Sequence, residues 1–222
     1  MTEITNEDVE RVPLLKIGFI GTGGTGKTSV AEKLKELIPE DFRPSIVRGV
    51  MGHLGVTDAM QSSMSSAQCW AVQKALADAK FNQDDEYDTG LFDRTPIDHL
   101  AYALYRCAGE ISNPVYKALV ERVQEYIDQY DVVFYFPIYE WEVADDGFRQ
   151  QGLAYRATHD MLLQQLLTEM EIDAIEMPDA SVDERVELIL SVLQDERDTI
   201  TASEDDDDEY GPSDDDSAEA RV

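Results

Sequence analysis

The chain has 222 residues and a formal net charge of −29, with 18 basic against 47 acidic residues. This charge argues against a non-specific grip on nucleic-acid backbones, which depends on Lys and Arg, although it leaves room for a focused basic cleft. The length suits one domain with a sizeable core, and no stretch approaches the ~20 consecutive apolar residues that span a membrane. With two cysteines and an acidic N-terminus unlike a signal peptide, we expect a cytoplasmic protein (host cytoplasm if viral) without a disulfide framework.

The first predicted elements are a strand, a glycine-rich loop and a helix. Apolar residues 17–20 indicate a buried strand, and apolar positions within 29–38 recur at helical spacing. Between them the sequence matches G-x-x-x-x-G-K-[ST], whose backbone N–H groups cradle the phosphates of a nucleoside triphosphate, rather than a plain turn. Lys27 can reach the β- and γ-phosphates, and the Thr28 hydroxyl can ligate Mg²⁺. The predicted ATP-binding residues are Gly21, Thr22, Gly23, Gly24, Thr25, Gly26, Lys27 and Thr28.

Strands and helices alternate along the rest of the chain. Strands are predicted at 45–47, 89–92, 132–136 and 174–177, helices at about 65–81, from 96, at 113–129, 153–170 and 182–193, a loop at 48–58 and a polar turn at 82–86. Such alternation is typical of a parallel sheet with right-handed crossovers. We therefore predict an α/β fold, the three-layer sandwich of P-loop NTPases, with five parallel strands and helices on both faces.

The C-terminal segment differs from the rest in composition. Residues 195–222 hold thirteen acidic residues against two arginines, so this stretch cannot bury enough apolar surface to fold. We predict a flexible lead-in over 1–13, one folded domain over 14–196 and a disordered acidic tail over 197–222. The tail is interpreted as a solvating appendage, with an interaction segment or a nucleic-acid mimic as the alternatives.

Candidate catalytic residues follow the predicted strands. Ligands of a parallel sheet bind beyond the carboxyl ends of its strands, which places Arg48, Asp93 and Arg94 beside the glycine loop. Asp93 closes an apolar strand, where a carboxylate can hold Mg²⁺ or accept a proton from an attacking hydroxyl. Alternatively, Asp93 caps the helix that begins at Pro96, a role that Thr95 could also fill.

Three further residues are candidates for binding a second substrate. Arg48 could bind this acceptor or pair with a nearby acid, and Asp98 could orient Arg94, act as the base, or be solvated. Trp141 could line the pocket, because aromatic faces stack on nucleobases, or fill the core.

The segment 92–102, Phe-Asp-Arg-Thr-Pro-Ile-Asp-His-Leu-Ala-Tyr, resembles the Asp-Arg-[Ser/Thr]-x-x-Asp-x-x-Ala-Tyr segment of small P-loop kinases. That group includes bifunctional bacterial nicotinamide riboside kinases, nucleoside and nucleotide kinases, and phage enzymes similar to kinases of 5-hydroxymethyluracil in DNA. The resemblance covers about residues 14–193. It implies that Asp93 belongs to the catalytic centre and that Arg94 contacts phosphate or acceptor.

The resemblance also implies an arginine-bearing lid. Residues 145–152, followed by Tyr155 and Arg156, are similar to the lid of these kinases, with Arg149 inside the segment. An arginine placed over the γ-phosphate neutralises the charge that develops during transfer. The alternative is a surface loop with salt bridges.

Together these patterns favour a P-loop kinase domain over 14–196. ATP with Mg²⁺ would donate its γ-phosphoryl group to a hydroxyl of a nucleoside- or nucleotide-like acceptor, or of 5-hydroxymethyluracil within phage DNA, without a membrane partner. The alternative is an NTP-binding regulatory switch or an NTPase. A GTP switch would carry an Asn-Lys-x-Asp guanine reader, which the sequence lacks.

Overall fold

The protein, seen in a computed structural model, is described over residues 12–107, 110–139 and 152–208, with side chains as far as residue 203. Five strands form one sheet in the order β2-β3-β1-β4-β5, and all neighbouring pairs are parallel. Their carboxyl ends therefore share one edge. The strands are β1 (Lys16–Ile20), β2 (Phe42–Arg43), β3 (Gly90–Asp93), β4 (Val132–Tyr135) and β5 (Ile175–Glu176).

Helices connect the strands and cover the sheet. Within the described ranges they are α1 (Lys27–Leu34), α2 (Val47–Leu54), α3 (Asp58–Gln61), α4 (Ser66–Glu86), α5 (Pro96–Arg106), α6 (Pro114–Ile127), α7 (Leu153–Glu169) and α8 (Val182–Asp208). Among these helices, none combines the length and the apolar character needed to cross a membrane.

Two apolar cores lie on opposite faces of the sheet. On one face, α1 and α8 pack against Phe19 and Phe134. On the other, α4 to α7 pack against Phe92 and Val133. The predicted α/β fold, with five parallel strands covered on both faces, is confirmed.

The region between α1 and α4 differs from the prediction. The strand expected at 45–47 is wrong, because β2 lies at Phe42–Arg43 and pairs with β3. The loop expected at 48–58 is wrong as well, since α2 and the start of α3 occupy it. Met51 of α2 packs on Val72 and Leu76 of α4. This tertiary packing outweighs the low helix propensity of the glycines in the segment.

Two helices extend beyond their predicted ends. The predicted turn at 82–86 is the last part of α4, because Asp84 is buried there and pairs with Lys80 at 2.8 Å. The boundary predicted between 196 and 197 falls inside α8. Arg197 is buried, pairs with the buried Glu40, and donates from Nε to the Pro13 carbonyl at 3.3 Å. Residues 209–222 of the predicted tail and residues 1–11 of the lead-in lie outside the described residues.

The buried Arg197–Glu40 pair predicts where the chain can be shortened. A protein ending at Ser203 should unfold at the same urea concentration as the full chain, because the pair stays intact. A protein ending at Glu196 should lose about 3–5 kcal/mol of unfolding free energy, since Glu40 would be left buried without its partner. Equal urea midpoints for all three proteins would contradict this.

Candidate active site

The glycine loop joins β1 to α1 at the carboxyl edge of the sheet. Gly21 has φ 139°, and a Cβ there would stand 2.5 Å from the Phe136 carbonyl oxygen. Gly24 and Gly26 have φ of 78° and 88°, in the left-handed region that residues with a Cβ atom rarely adopt. The loop conformation therefore requires glycine at these positions. It leads directly into the N-terminus of α1, where backbone N–H groups favour an anion.

Lys27 folds back over this loop. Its Nζ donates to the carbonyl oxygens of Gly21 at 2.6 Å and Thr22 at 2.7 Å, and to Thr25 Oγ1 at 3.2 Å. The side chain is 5% exposed and lines a cavity in front of the loop. A cationic head is thus held where phosphates would bind.

Asp98 holds the start of the loop from behind. Its Oδ1 accepts from the Gly21 N–H at 3.1 Å and from the Arg94 guanidinium at 3.4 Å, and its Oδ2 accepts from the Thr95 N–H at 2.9 Å. Burial raises the pKa of Asp98, while Arg94 and Lys27 oppose the rise. The side chain is completely buried and does not line the cavity. The predictions that Asp98 is solvated or binds the acceptor are therefore wrong, because its oxygens are committed to the protein.

Asp93 stands opposite Thr28 at the end of β3. The Thr28 hydroxyl donates to Asp93 Oδ2 at 3.3 Å, and both residues line the cavity. The N-cap position of α5 belongs to Thr95, so the alternative that Asp93 caps this helix is wrong. Within the described residues, no group of three or more His, Cys, Asp or Glu is placed to hold a metal. The Thr28–Asp93 oxygens alone offer the hard donors that Mg²⁺ prefers, leaving further positions for phosphate and water.

Arg94 is held in a strained backbone conformation beside the loop. Its φ is 82°, which is rare for a long side chain, and its N–H donates to the Phe19 carbonyl at 2.9 Å. The guanidinium lies 3.4 Å from the Gly21 carbonyl and 5.0 Å from the centre of the Tyr102 ring. Arg94 therefore faces the cavity and is braced by its neighbours.

The remaining predicted cations come from α2 and α7. Arg156 is buried and donates to the carbonyl oxygens of Gly23 at 3.0 Å and Gly24 at 3.3 Å. Arg48 is exposed on α2 and lines the cavity. Arg149 and Trp141 lie outside the described residues.

The cavity in front of the loop has a volume of about 380 Å³. Its lining carries two carboxylates, Asp58 and Asp93, against five cations, although the whole chain has a net charge of −29. The cations are Lys27, Arg48, Arg94, Arg106 and Arg156. Such a concentration of positive charge focuses the local field and favours an anionic ligand. It matches the basic cleft that the sequence left open.

Sequence reasoning missed the wall of the cavity opposite the glycine loop. This wall is built by α2 to α5 and by the start of α7, in part from the segment that was predicted as a loop. Arg106, at the C-terminal end of α5, is the only Lys or Arg on that helix, and this is the sequence signal that could have found it. The missed residues are Met51, Asp58, Gln61, Gln73, Leu76, His99, Tyr102 and Arg106.

His99 contributes a neutral imidazole to this wall. Burial, together with the nearby Arg94 and Lys80, lowers the pKa of His99 to about 3. The ring therefore stays uncharged in the folded protein at neutral pH. It adds no positive charge to the cavity.

The contacts of Asp98 predict the effect of replacing it. Asp98→Asn should lower the free energy of unfolding by about 1–3 kcal/mol. The amide N–H₂ of Asn would face a backbone N–H or the guanidinium, each of which now donates a hydrogen bond to the carboxylate. Thermal unfolding together with ATP affinity measures the change, and both should fall. The exposed Asp88→Asn is the matched control and should leave both unchanged. A wild-type melting temperature and ATP affinity for Asp98→Asn would contradict the role.

The buried His99 predicts a pH dependence of stability. In the unfolded chain its pKa is near 6.5, so between pH 6.5 and about 3 the unfolded state binds more protons. The folded protein therefore keeps its full stability with respect to His99 above pH 6.5, and the free energy of unfolding decreases as the pH falls through this window. His99→Gln should reduce the slope of unfolding free energy by up to about 1.4 kcal/mol per pH unit, measured by urea unfolding between pH 4.5 and 7. The slope should fall without vanishing, because the pKa of the buried His159 is lowered as well. An unchanged slope would contradict a neutral, buried His99.

Comparison with known proteins agrees with the fold. A family model described as "AAA domain" matches residues 16–185. No curated protein sequence matches the chain.

Three solved structures illustrate the shared fold. NadR in complex with NR is 20% identical over 76% of this chain, with a TM-score of 0.54, and the chain spans 47% of that protein. Deoxyadenosine kinase from M. mycoides with bound dCTP is 14% identical, covering 82% of this chain and 100% of its own, with a TM-score of 0.59. Thymidylate kinase from Candida albicans is 12% identical, covering 83% and 93%, with a TM-score of 0.59. The resemblance to P-loop nucleoside and nucleotide kinases is thus confirmed for the fold, and the resemblance to phage DNA kinases stays a prediction.

Proposed function

The chain belongs to the AAA domain family, and from this premise we propose that it is an ATP-dependent kinase. The γ-phosphoryl group of ATP goes to a hydroxyl of a nucleoside- or nucleotide-like acceptor. One observation carries the proposal: a single cavity of about 380 Å³ runs from the glycine loop past Asp93 to the wall built by α2 to α5. A site that only hydrolyses a nucleotide does not need the cavity to extend from the loop to such a wall.

The glycine loop forms the donor side of the proposed reaction. Residues 21–28 bind the phosphates through backbone N–H groups, and Lys27 swings from its loop carbonyls to the β- and γ-phosphates. Thr28 would hold Mg²⁺, with Asp93 beside it acting on the ion through a water, and the ion would neutralise phosphate charge. Arg94 and Arg156, which both line the cavity, stabilise the charge that develops on the transferred group. Arg149 is proposed to do the same from the lid segment.

Asp93 is the proposed general base. It lines the cavity and stands beside Thr28, whereas the oxygens of Asp98 are fully buried and already accept three hydrogen bonds. The acceptor oxygen attacks the γ-phosphorus in line with the leaving oxygen of ADP, and Asp93 takes the hydroxyl proton.

The acceptor side is a mixed pocket. Apolar Met51 and Leu76 share the wall with the polar Gln61 and Gln73, and Arg48 stands at the edge. The whole cavity, with the glycine-loop side included, has about 380 Å³, which lies in the range of small-molecule sites. A free nucleoside or nucleotide is therefore the first proposed acceptor.

The second proposed acceptor is 5-hydroxymethyluracil within DNA. The segment 92–102, with its resemblance to phage enzymes, favours it. The base would have to flip out of the duplex to enter this cavity, and the charge of −29 works against DNA binding.

The direct test is incubation with γ-labelled ATP and parallel panels of nucleosides, nucleotides, and DNA with or without 5-hydroxymethyluracil. We expect label on at least one hydroxyl-bearing acceptor, with ADP as the other product. Label found only in inorganic phosphate, whatever acceptor is present, would establish an NTPase and contradict the kinase proposal.

Asp93→Asn should suppress phosphoryl transfer by about 10²-fold or more while nucleotide binding stays close to wild type, because the amide is nearly isosteric but is not a base. Single-turnover rates and ATP dissociation constants measure the two effects, with Asp88→Asn again as the control. If the variant keeps the wild-type rate per folded molecule, Asp93 is not the base.

A further inference from the structure

Gln73 presents an unpaired oxygen in the wall of the cavity opposite the glycine loop, which we call the acceptor wall. It lies on α4, lines the cavity and is only 2% exposed. Its Nε2 donates to Gln61 Oε1 at 2.8 Å, whereas its Oε1 has no hydrogen-bond partner among the described residues. A buried carbonyl oxygen without a donor is costly, so its position in the wall of a ligand cavity calls for an explanation.

The orientation of the Gln73 amide is fixed by the charge of Asp58, which acts through Gln61. Gln61 Nε2 donates to Asp58 Oδ1 at 3.3 Å, and Arg106 in turn pairs with Asp58. Since a carboxylate can only accept, Gln61 must turn its N–H₂ towards Asp58 and its oxygen towards Gln73. Gln73 must then give its own N–H₂ to Gln61, and its oxygen is the atom left over.

We call Arg106, Asp58, Gln61 and Gln73 the amide relay. A flip of either glutamine would set two N–H₂ groups or two oxygens against each other. The ion pair at one end of the relay therefore determines the hydrogen-bonding character of the other end. All four residues line the same cavity as the glycine loop.

We propose that Gln73 Oε1 selects the acceptor by accepting a hydrogen bond from an N–H on its planar head. The matching groups are a lactam N–H, a carboxamide or an exocyclic amine of a nucleobase. Met51 and Leu76 supply apolar surface for the ring beside this contact. The inference rests on the proposed function, since it assumes that this end of the cavity holds a nucleoside-like acceptor.

The charge-set direction makes the selection one-sided. A ring that offers only a lone pair at this position would face the lone pairs of Gln73 Oε1 and be rejected. Discrimination of this kind is strong, because the wrong ligand leaves a buried polar group unpaired. Asp58, Gln61 and Arg106 act as positioning residues for that contact.

The test is calorimetric binding of three nucleosides and their N-methylated counterparts. The pairs are adenosine with N6,N6-dimethyladenosine, cytidine with N4,N4-dimethylcytidine, and uridine with 3-methyluridine, each with and without a non-hydrolysable ATP analogue. For the nucleoside that binds wild-type protein, loss of the N–H should weaken affinity by about 10-fold or more.

The variant Gln73→Leu separates the hydrogen bond from the bulk of the methyl group. Leu keeps a similar volume without an acceptor, so parent and methylated nucleoside should bind this variant within about twofold of each other. Gln61→Leu removes the middle of the relay and should reduce the discrimination to an intermediate value. The exposed Gln165→Leu on α7 is the matched control and should keep the wild-type ratio.

Each outcome decides the proposal. Equal affinity of wild-type protein for parent and methylated nucleosides overturns it, as does failure of every probe to bind. An unchanged ratio in a folded Gln73→Leu variant overturns it as well. Because binding is measured without transfer, N–H discrimination by a protein that transfers no phosphate would support the relay and contradict the kinase. Transfer to an acceptor without such discrimination would do the reverse.

Discussion

The site depends on the buried carboxylate of Asp98. Its two oxygens accept from the Gly21 and Thr95 N–H groups and from Arg94, so one side chain fixes the glycine loop to the turn between β3 and α5. In the proposed reaction, the loop binds the phosphates of the donor and the turn carries the base, Asp93. The distance between them must stay constant if the γ-phosphate is to lie beside the base. A displacement of about 1 Å can lower the reaction rate by about 10²-fold.

Electrostatic contrast is the second feature of the molecule. Surface charge of one sign keeps an acidic chain soluble, but it would repel polyphosphates if it reached the site. Five cations in the cavity wall make the local charge positive. His99 lies beside them but stays neutral, so it adds no further positive charge. Burial of Arg94 and Arg156 also raises the effect of each charge, since the local dielectric is low.

The parts that the sequence predicted are those encoded locally. The glycine loop, β1 and the strand ending at Asp93 each follow from a short pattern, and the alternation of elements is enough for the parallel sheet. The wall opposite the glycine loop could not be predicted from such local patterns. Helix α2 forms because Met51 meets α4 across the fold, and the role of Gln73 needs Gln61 and Asp58 beside it. For Asp98, the alternative that it orients Arg94 agrees with their contact at 3.4 Å, whereas its complete burial and its bond to the Gly21 N–H could not be predicted from a local pattern. The end of α8 was placed too early because the partner of Arg197 is 157 residues away.

The central claim is that the glycine-loop lysine drives phosphoryl transfer at this cavity. The most direct measurement is the single-turnover rate of label transfer from ATP to acceptor by Lys27→Ala, compared with Lys33→Ala, an exposed lysine on the same helix. We predict a loss on the order of 10²-fold or more for Lys27→Ala with an intact fold, and a wild-type rate for Lys33→Ala. A folded Lys27→Ala protein that transfers phosphate at the wild-type rate would contradict it.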